Sequence, residues 1–303
     1  MIFKGGTSLL LTSKSPTRFS IDIDIITQHK DTDIQAALGK IVGNGLFTRW
    51  EPDNDRKTAP EAPVTHYKAY YESKVDKSFG EEPILLDVLH TTNPYPKVFE
   101  CAIEHDWLQT DGEPALVNIP LHDCILGDKL TAFAPKTTGI LYSKNRPVEI
   151  IKQLYDISYL FDQIENIQLV KESYQRIVKE ELAYRKLDMS YQNVLDDTIE
   201  ACLALASRDE KNKDFIHLRT GIVNITNFII NRFKIEEAIV AAGKVAYLCM
   251  VLKSDQDIAI HKFQSPEEIR ELSIDKEYNW LNKLKKSNPE AFFYWEKALA
   301  IKA

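Results

Sequence analysis

Asp22 and Asp24 stand two residues apart in Arg18-Phe-Ser-Ile-Asp-Ile-Asp-Ile25, alternating with Ile21, Ile23 and Ile25. Alternation with period two predicts a β-strand that buries its isoleucines and turns both carboxylates to the other face. Residues i and i+2 on a strand lie roughly 6.5–7 Å apart, so their oxygens can converge on one hard divalent cation, and the geometry suits Mg2+. Upstream, Gly5 and Gly6 precede Thr7 and Ser8. The glycines permit a tight turn, and a helix starting at Thr7 or Ser8 would offer amide N–H groups, hydroxyls and its N-terminal partial charge to a phosphate. Phosphate and metal would then meet at one spot. Taken separately, a Gly-Gly pair is also an ordinary turn and Asp-x-Asp an ordinary solvated strand edge; their order along the chain carries the reading.

A third acid is singled out by its surroundings. In Glu82-Pro-Ile-Leu-Leu-Asp-Val-Leu-His90 the apolar run is nearly continuous, as in a central strand buried on both faces, and Asp87 interrupts it. An ionised carboxylate is costly to bury unless paired or bound to metal. Asp87 therefore either faces a cation from the strand's exposed end, or sits in a salt bridge or at an edge.

The elements that must position these residues follow from pattern. Spaced apolar residues over Asp31–Leu46 predict a helix that packs on the sheet and stops at Gly43-Asn-Gly45. Thr48–Glu51, Val64–Glu72, Tyr95–Ile103 and Ala115–Ile119 read as further strands, with a loop over Pro52–Pro63, a Lys/Ser/Gly turn before Glu82 and a turn at Asp111-Gly112. Pro120 closes the sheet region. From Leu121 the period becomes helical, with a helix over 123–133, a polar linker over Pro135–Pro147 and a helix over Val148–Asp162. Further helices are predicted over Ile167–Lys186, Tyr191–Ser207, Phe215–Phe233, Ile235–Lys253 and Glu277–Ile301, with a break at Ser254–Asp257 and a helix start at Ser265. The fold class is thus α+β, with a sheet domain over residues 1–120 and an all-α domain over residues 121–303, and no repeat period.

Composition narrows the function classes. At 303 residues and 44% hydrophobic content, the chain is long enough to bury a core in each of two domains. The apolar run Ala238–Leu252 contains Gly243 and Lys244 and falls short of the ~20 residues of a membrane span, and no signal-peptide pattern opens the chain. No membrane association and a cytoplasmic location are expected. Cys101, Cys124, Cys202 and Cys249 lack C-x-x-C spacing and read as buried free thiols, while His122-Asp-Cys124 reads as a surface turn entering a helix. A net charge of −7 gives no global field for nucleic acid. An RNA partner would need a local cationic track, for which Arg176, Lys179, Arg185 and Lys186 are the first candidates. Phe292, Phe293, Tyr294 and Trp295 read as packing residues.

The segment Gly5-Gly6-Thr7-Ser8-Leu9 … Arg18-Phe19-Ser20-x-Asp22-x-Asp24 resembles the first signature of the polymerase-β-like nucleotidyltransferases. More narrowly, it is similar to the AbiEii family, the toxins of type IV toxin–antitoxin systems. The fifteen residues between Gly6 and Asp22 make a longer loop than the superfamily usually shows, and Ile21 stands where the family often has an acid. Family members carry a helical segment before the Gly-Gly turn, so by this resemblance the chain reads as N-terminally truncated. Lys129-Leu-Thr-Ala132 and Lys152-Gln-Leu-Tyr-Asp-Ile157 resemble the family's later motifs, Lys-Leu-x-Ala and Arg-Asp-Leu-Tyr-Asp-Leu. Lys152 stands in the arginine position, Gln153 replaces the first aspartate and Asp156 keeps the second.

The resemblance implies a polymerase-β-like mixed sheet with flanking helices, and a transfer of NMP from an NTP to an acceptor hydroxyl, an RNA end such as that of tRNA. Asp22 and Asp24 would hold two Mg2+ ions and Asp87 one of them, with Asp87 also orienting and deprotonating the attacking hydroxyl. Gly5, Gly6, Thr7, Ser8 and Lys129 would lie on the triphosphate, while Asp156 positions Lys152 or touches the nucleotide. Being i,i+4, Lys152 and Asp156 read equally as a surface ion pair. A cognate antitoxin is the implied protein partner. The alternatives are transfer to a small molecule or a protein on the same fold, and a binding protein that keeps the fold without activity.

Overall fold

Ile2–Lys4, a three-residue run of large side chains, forms β1 and passes directly into α1, Gly5–Thr12, which buries Ser8 to Leu11. A computed structural model describes residues 1–56, 62–75, 78 and 80–301. Residues 57–61 of the expected loop, Asp76, Lys77 and Phe79 of the expected turn, and Lys302 and Ala303 lie outside the described residues. After α1 come β2 (Ile23–Thr27), α2 (Asp31–Gly43), β3 (Arg49–Pro52), β4 (Val64–Glu72), β5 (Glu81–His90), β6 (Val98–Ala102) and β7 (Leu116–Pro120). The strands form one seven-stranded sheet in the order β3-β4-β5-β2-β1-β7-β6. β2 runs parallel to β5 and β1 to β7, the remaining pairs being antiparallel, so the sheet is mixed and the chain α+β.

The chain divides into two compact units, Met1–Leu121 and His122–Ala303. In the first, Ile25, Ile26, Tyr67, Val88 and Ile119 form the buried centre of the sheet. β5 is interior by hydrogen bonding, yet only Val88 is buried and Ile84 to Asp87 are half-buried, so the expected burial on both faces is not reached. α2 likewise buries only Leu38, and Ile41 is left exposed.

The second unit carries α3 (His122–Ala132), α4 (Pro147–Phe161), α5 (Ile167–Arg185), α6 (Tyr191–Ser207), α7 (Lys213–Asn224), α8 (Ile235–Lys253), α9 (Leu284–Ser287) and α10 (Pro289–Ala300). From Ala238 to Leu252 every residue of α8 except Val240 and Met250 is buried, which is why the run is apolar on all sides. Lys244, its one charge, reaches Asp162 at 2.7 Å and Glu290 at 3.4 Å. Among the described residues no helix is long and apolar enough to cross a membrane. Phe292, Phe293, Tyr294 and Trp295 are buried, with Tyr294 against Phe161 at 5.4 Å between ring centroids.

Several boundaries differ from the pattern, each for a local reason. α7 stops at Asn224 and a 3-10 turn, Ile225–Asn227, follows, so Phe228 to Phe233 are not helical. Ser265 opens only the short 3-10 turn Pro266–Ile269. Glu277–Ile301 is not one helix: Pro289 begins a new one, and Lys276–Lys283 is 3-10. Tyr95–Ile103 narrows to Val98–Ala102. The linker after α3 is tucked in rather than free, since Lys136 N–H and the Thr137 hydroxyl donate to Asp197 at 2.9 and 2.8 Å. His122-Asp-Cys124 is the buried first turn of α3 rather than a surface turn, with Asp123 accepting the Asn166 N–H at 3.0 Å. Burial pushes the Asp123 carboxyl up and the His122 imidazole down. Cys124, Cys202 and Cys249 are buried thiols outside any disulfide, as read from spacing, and Cys101 is half-buried.

α3 and α5 touch backbone to backbone. A Cβ on Gly127 would lie 2.6 Å from the Val170 oxygen and 2.7 Å from the Tyr174 nitrogen. Gly127→Ala is therefore expected to cost about 1–3 kcal/mol, since backbone cannot move aside as a side chain can. Urea denaturation reads this as a lower midpoint; an unchanged midpoint would mean that the two helices separate at no cost.

Candidate active site

Strand register assembles the site. Lys4 on β1 pairs with Asp24 on β2, Asp24 pairs with Asp87 on β5, and Asp87 pairs with His66 on β4. Directly paired residues on adjacent strands share a face of the sheet, with strands about 4.8 Å apart. A row of four ionisable side chains therefore crosses four strands. Within it, His66 Nδ1 lies 2.8 Å from Asp87 Oδ1, with both side chains largely covered.

The start of α1 is fitted to Asp24. Gly5 has φ +76°, and a Cβ there would lie 1.9 Å from Asp24 Oδ2, so no other residue permits the carboxylate to sit against this helix end. Lys4, the residue before the helix, makes no side-chain cap hydrogen bond. The partial positive charge of the helix start faces an anion, which is a stabilising arrangement. Gly6 is crowded in the same way: a Cβ would lie 2.5 Å from Arg18 Nη2 and 2.6 Å from Ser20 Oγ. Thr7 Oγ1 bonds Ser20 Oγ at 3.1 Å and donates to the Asp22 carbonyl, while Ser8 Oγ donates to the Gly5 carbonyl at 2.8 Å. The Thr7 hydroxyl thus pins the strap Arg18–Asp22 onto α1, and the Ser8 hydroxyl closes the first helical turn.

The expected positions fall as follows. α1 begins at Gly5, two residues before Thr7, where the Asp24 carboxylate approaches too closely for any side chain. β2 begins at Ile23, so Asp22 is exposed just outside the ladder and Ile21 is 64% exposed instead of buried. The cause is Thr7, which holds the Asp22 carbonyl. Asp24 and Asp87 are brought side by side, and Asp22 is next along the chain. Sequence reasoning missed His66, whose pairing with Asp87 requires the register, and gave no role to Arg18 or Ser20 although they lie in the motif it singled out.

Lys129, Lys152 and Asp156 belong to the second unit. Lys129 is buried on α3, with Nζ 2.8 Å from Asp156 Oδ2 and 3.2 Å from Gln153 Oε1 on α4. Gln153 thus serves the lysine with an uncharged oxygen. Lys152 turns to Glu149 at 2.9 Å and lies 4.0 Å from the Phe228 ring centroid. The surface Lys152–Asp156 pair is replaced by a buried one, because α3 supplies a closer cation. On α5, Arg176 and Arg185 are engaged by Glu172 and Glu181, one turn earlier on the same helix.

Among the described residues no group of three or more His, Cys, Asp or Glu is gathered to hold a metal ion. The pair Asp24 and Asp87 supplies hard oxygens only, which fits Mg2+ as it is commonly bound, by one or two carboxylates completed by water and substrate phosphate.

A family model described as nucleotidyl transferase AbiEii toxin, type IV TA system, matches residues 1–223. The match takes in the whole first unit and runs through α3 into α7. No curated protein matches the chain. Among the described glycines of the matched segment, a Cβ on Gly5 would make the shortest contact. Gly5→Ala is expected to lower stability by about 1–3 kcal/mol and to displace the Asp24 carboxylate. Thermal or urea unfolding of the variant checks this, and wild-type stability would refute the close approach.

Proposed function

Because the chain belongs to the AbiEii nucleotidyl transferase toxin family of type IV toxin–antitoxin systems, we propose that it is a Mg2+-dependent nucleotidyltransferase that moves NMP from an NTP to an acceptor hydroxyl. The acceptor in this reading is an RNA end, with tRNA the first to test. A cognate antitoxin is its protein partner, and the cytoplasm its location. The observation that carries the reading is the in-register pair Asp24 and Asp87 beside the start of α1. Carboxylates and a helix N-terminus at one place recognise the two things a nucleotide brings, a metal ion and a polyphosphate. The polymerase-β-like arrangement of the sheet is part of the same proposal.

Asp22, Asp24 and Asp87 are the residues that would hold Mg2+, which when bound neutralises phosphate charge and activates the attacking oxygen. Asp87 takes the hydroxyl proton from the acceptor, and His66, bonded to its Oδ1, holds the carboxylate in one orientation. Gly5, Gly6 and the strap bearing Arg18 receive the triphosphate, with the guanidinium over Gly6 as its cation. Thr7 and Ser8 act by fixing the strap and the first helical turn. Support for Lys129, Lys152 and Asp156 as nucleotide contacts is the family motif. A small-molecule or protein acceptor is the second reading, favoured by the acidic partners that engage Arg176 and Arg185.

Asp24→Asn and Asp87→Asn are each expected to lower Mg2+-dependent transfer at least about a hundredfold while leaving the circular dichroism spectrum unchanged, since each removes an anionic ligand from a partly open site. Incorporation of labelled NMP into total RNA, protein and small-molecule fractions measures the effect and identifies the acceptor. Near-wild-type transfer by either variant would sink the assignment.

A further inference from the structure

The strap that covers α1 exposes an aromatic surface. Phe19 and Trp107 are 55% and 40% exposed, with ring centroids 5.1 Å apart and planes tilted by 30°. Both rings stand on anchored segments. Phe19 sits between Arg18, packed over Gly6, and Ser20, bonded to Thr7. Trp107 meets His105 edge-on at 5.9 Å, its backbone N–H donates to His105 Nδ1 at 3.1 Å, and His105 Nε2 lies 3.1 Å from the Ser13 carbonyl at the end of α1. His105, in contact with Trp107, also lines a cleft of about 730 Å3 together with Lys14, Glu104, Asp106, Leu108 and Gln109.

The chemistry of this surface points to a flat ring with N–H donors. Rigid, exposed aromatic faces stack on nucleobases whatever their sequence. Glu104, Asp106 and Gln109 present oxygens to the amino and imino edges of a base. One lysine against two acids gives the cleft no attraction for a chain of phosphates, which needs cations along its length. The strap itself joins the two halves of a nucleotide: Arg18 lies over the glycine cradle, and Phe19, the next residue, lies against Trp107.

We propose that the Phe19–Trp107 pair and the adjoining cleft seat the nucleobase of the incoming nucleoside triphosphate. This rests on the nucleotidyltransferase reading above and adds the base site to it. The phosphates lie toward Gly5 and Gly6, and the ring stacks on the aromatic pair with its polar edge toward Glu104, Asp106 and Gln109.

Calorimetric titration of the full chain in Mg2+ with each of the four NTPs and with inorganic triphosphate tests the seat. The double variant Phe19→Ala/Trp107→Ala is expected to weaken NTP binding about tenfold and to leave triphosphate binding unchanged. Phe19→Tyr/Trp107→Phe, which keeps both rings, is expected to bind NTPs as the wild type does, so a general folding defect is separated from loss of stacking. If the wild type binds and transfers nucleotide and the alanine variant binds NTPs equally well, the seat is overturned and the nucleotidyltransferase reading stands. Weakened binding of a short single-stranded RNA with unchanged NTP affinity also overturns it, placing an acceptor base there instead. If the wild type binds no NTP, both readings fall.

Discussion

Like charges set directly opposite one another on neighbouring strands repel, and Asp24 beside Asp87 is such a pair. The rest of the first unit is arranged to make that pair tolerable. The start of α1 is placed against Asp24, which demands that β1 enter the helix without a loop and that the entering residue be a glycine at positive φ. His66 bonds Asp87 from the other side, which demands one particular pairing of β4 with β5. Lys4 ends β1 opposite Asp24, adding a cation to the same row. Removing the repulsion would remove the reason for each of these features. Anion-favouring groups would then have nothing to face.

How much of this was legible in the sequence depended on distance along the chain. The Asp-x-Asp run, the Gly-Gly pair and the strand around Asp87 are local patterns, and the family match covers the segment that holds them. The mixed α+β character followed from the change of period near residue 120. Register did not follow, because hydrogen-bond partners such as Asp24 and Asp87 are chosen by the whole sheet. For the same reason His66 looked like one polar residue in an alternating strand. The start of α1 at Gly5 was not legible, because helix propensity counts against glycine and only the tertiary approach of the Asp24 carboxylate shows why glycine stands there. Pro289, by contrast, was a visible helix-start signal inside a run read as one helix.

In the second unit the informative residues are cations in apolar helices. Lys129 and Lys244 are both buried, and each finds carboxylate partners on other elements, Asp156 for the first and Asp162 with Glu290 for the second. Burying such pairs costs desolvation, so they add less to net stability than apolar residues of equal size, but leaving either partner alone is costly. They therefore restrict which helix faces can meet. Gln153 fits this logic: it adds an oxygen beside Lys129 without adding a second buried negative charge.

The three residues of β1 have one more role. They join β2 on one side and β7 on the other, so the strands β3-β4-β5-β2 and the hairpin β7-β6 belong to one sheet only through Ile2–Lys4. The first connection closes over a short loop, Phe3 to Ile25, whereas the second joins Ile2 to Asn118 across most of the unit. Non-local pairing bears the larger loop-closure entropy and forms late. The acidic row lies entirely on one side of that seam and the β6–β7 loop that carries Trp107 on the other, so Ile2–Lys4 tie the carboxylates to that loop within one sheet.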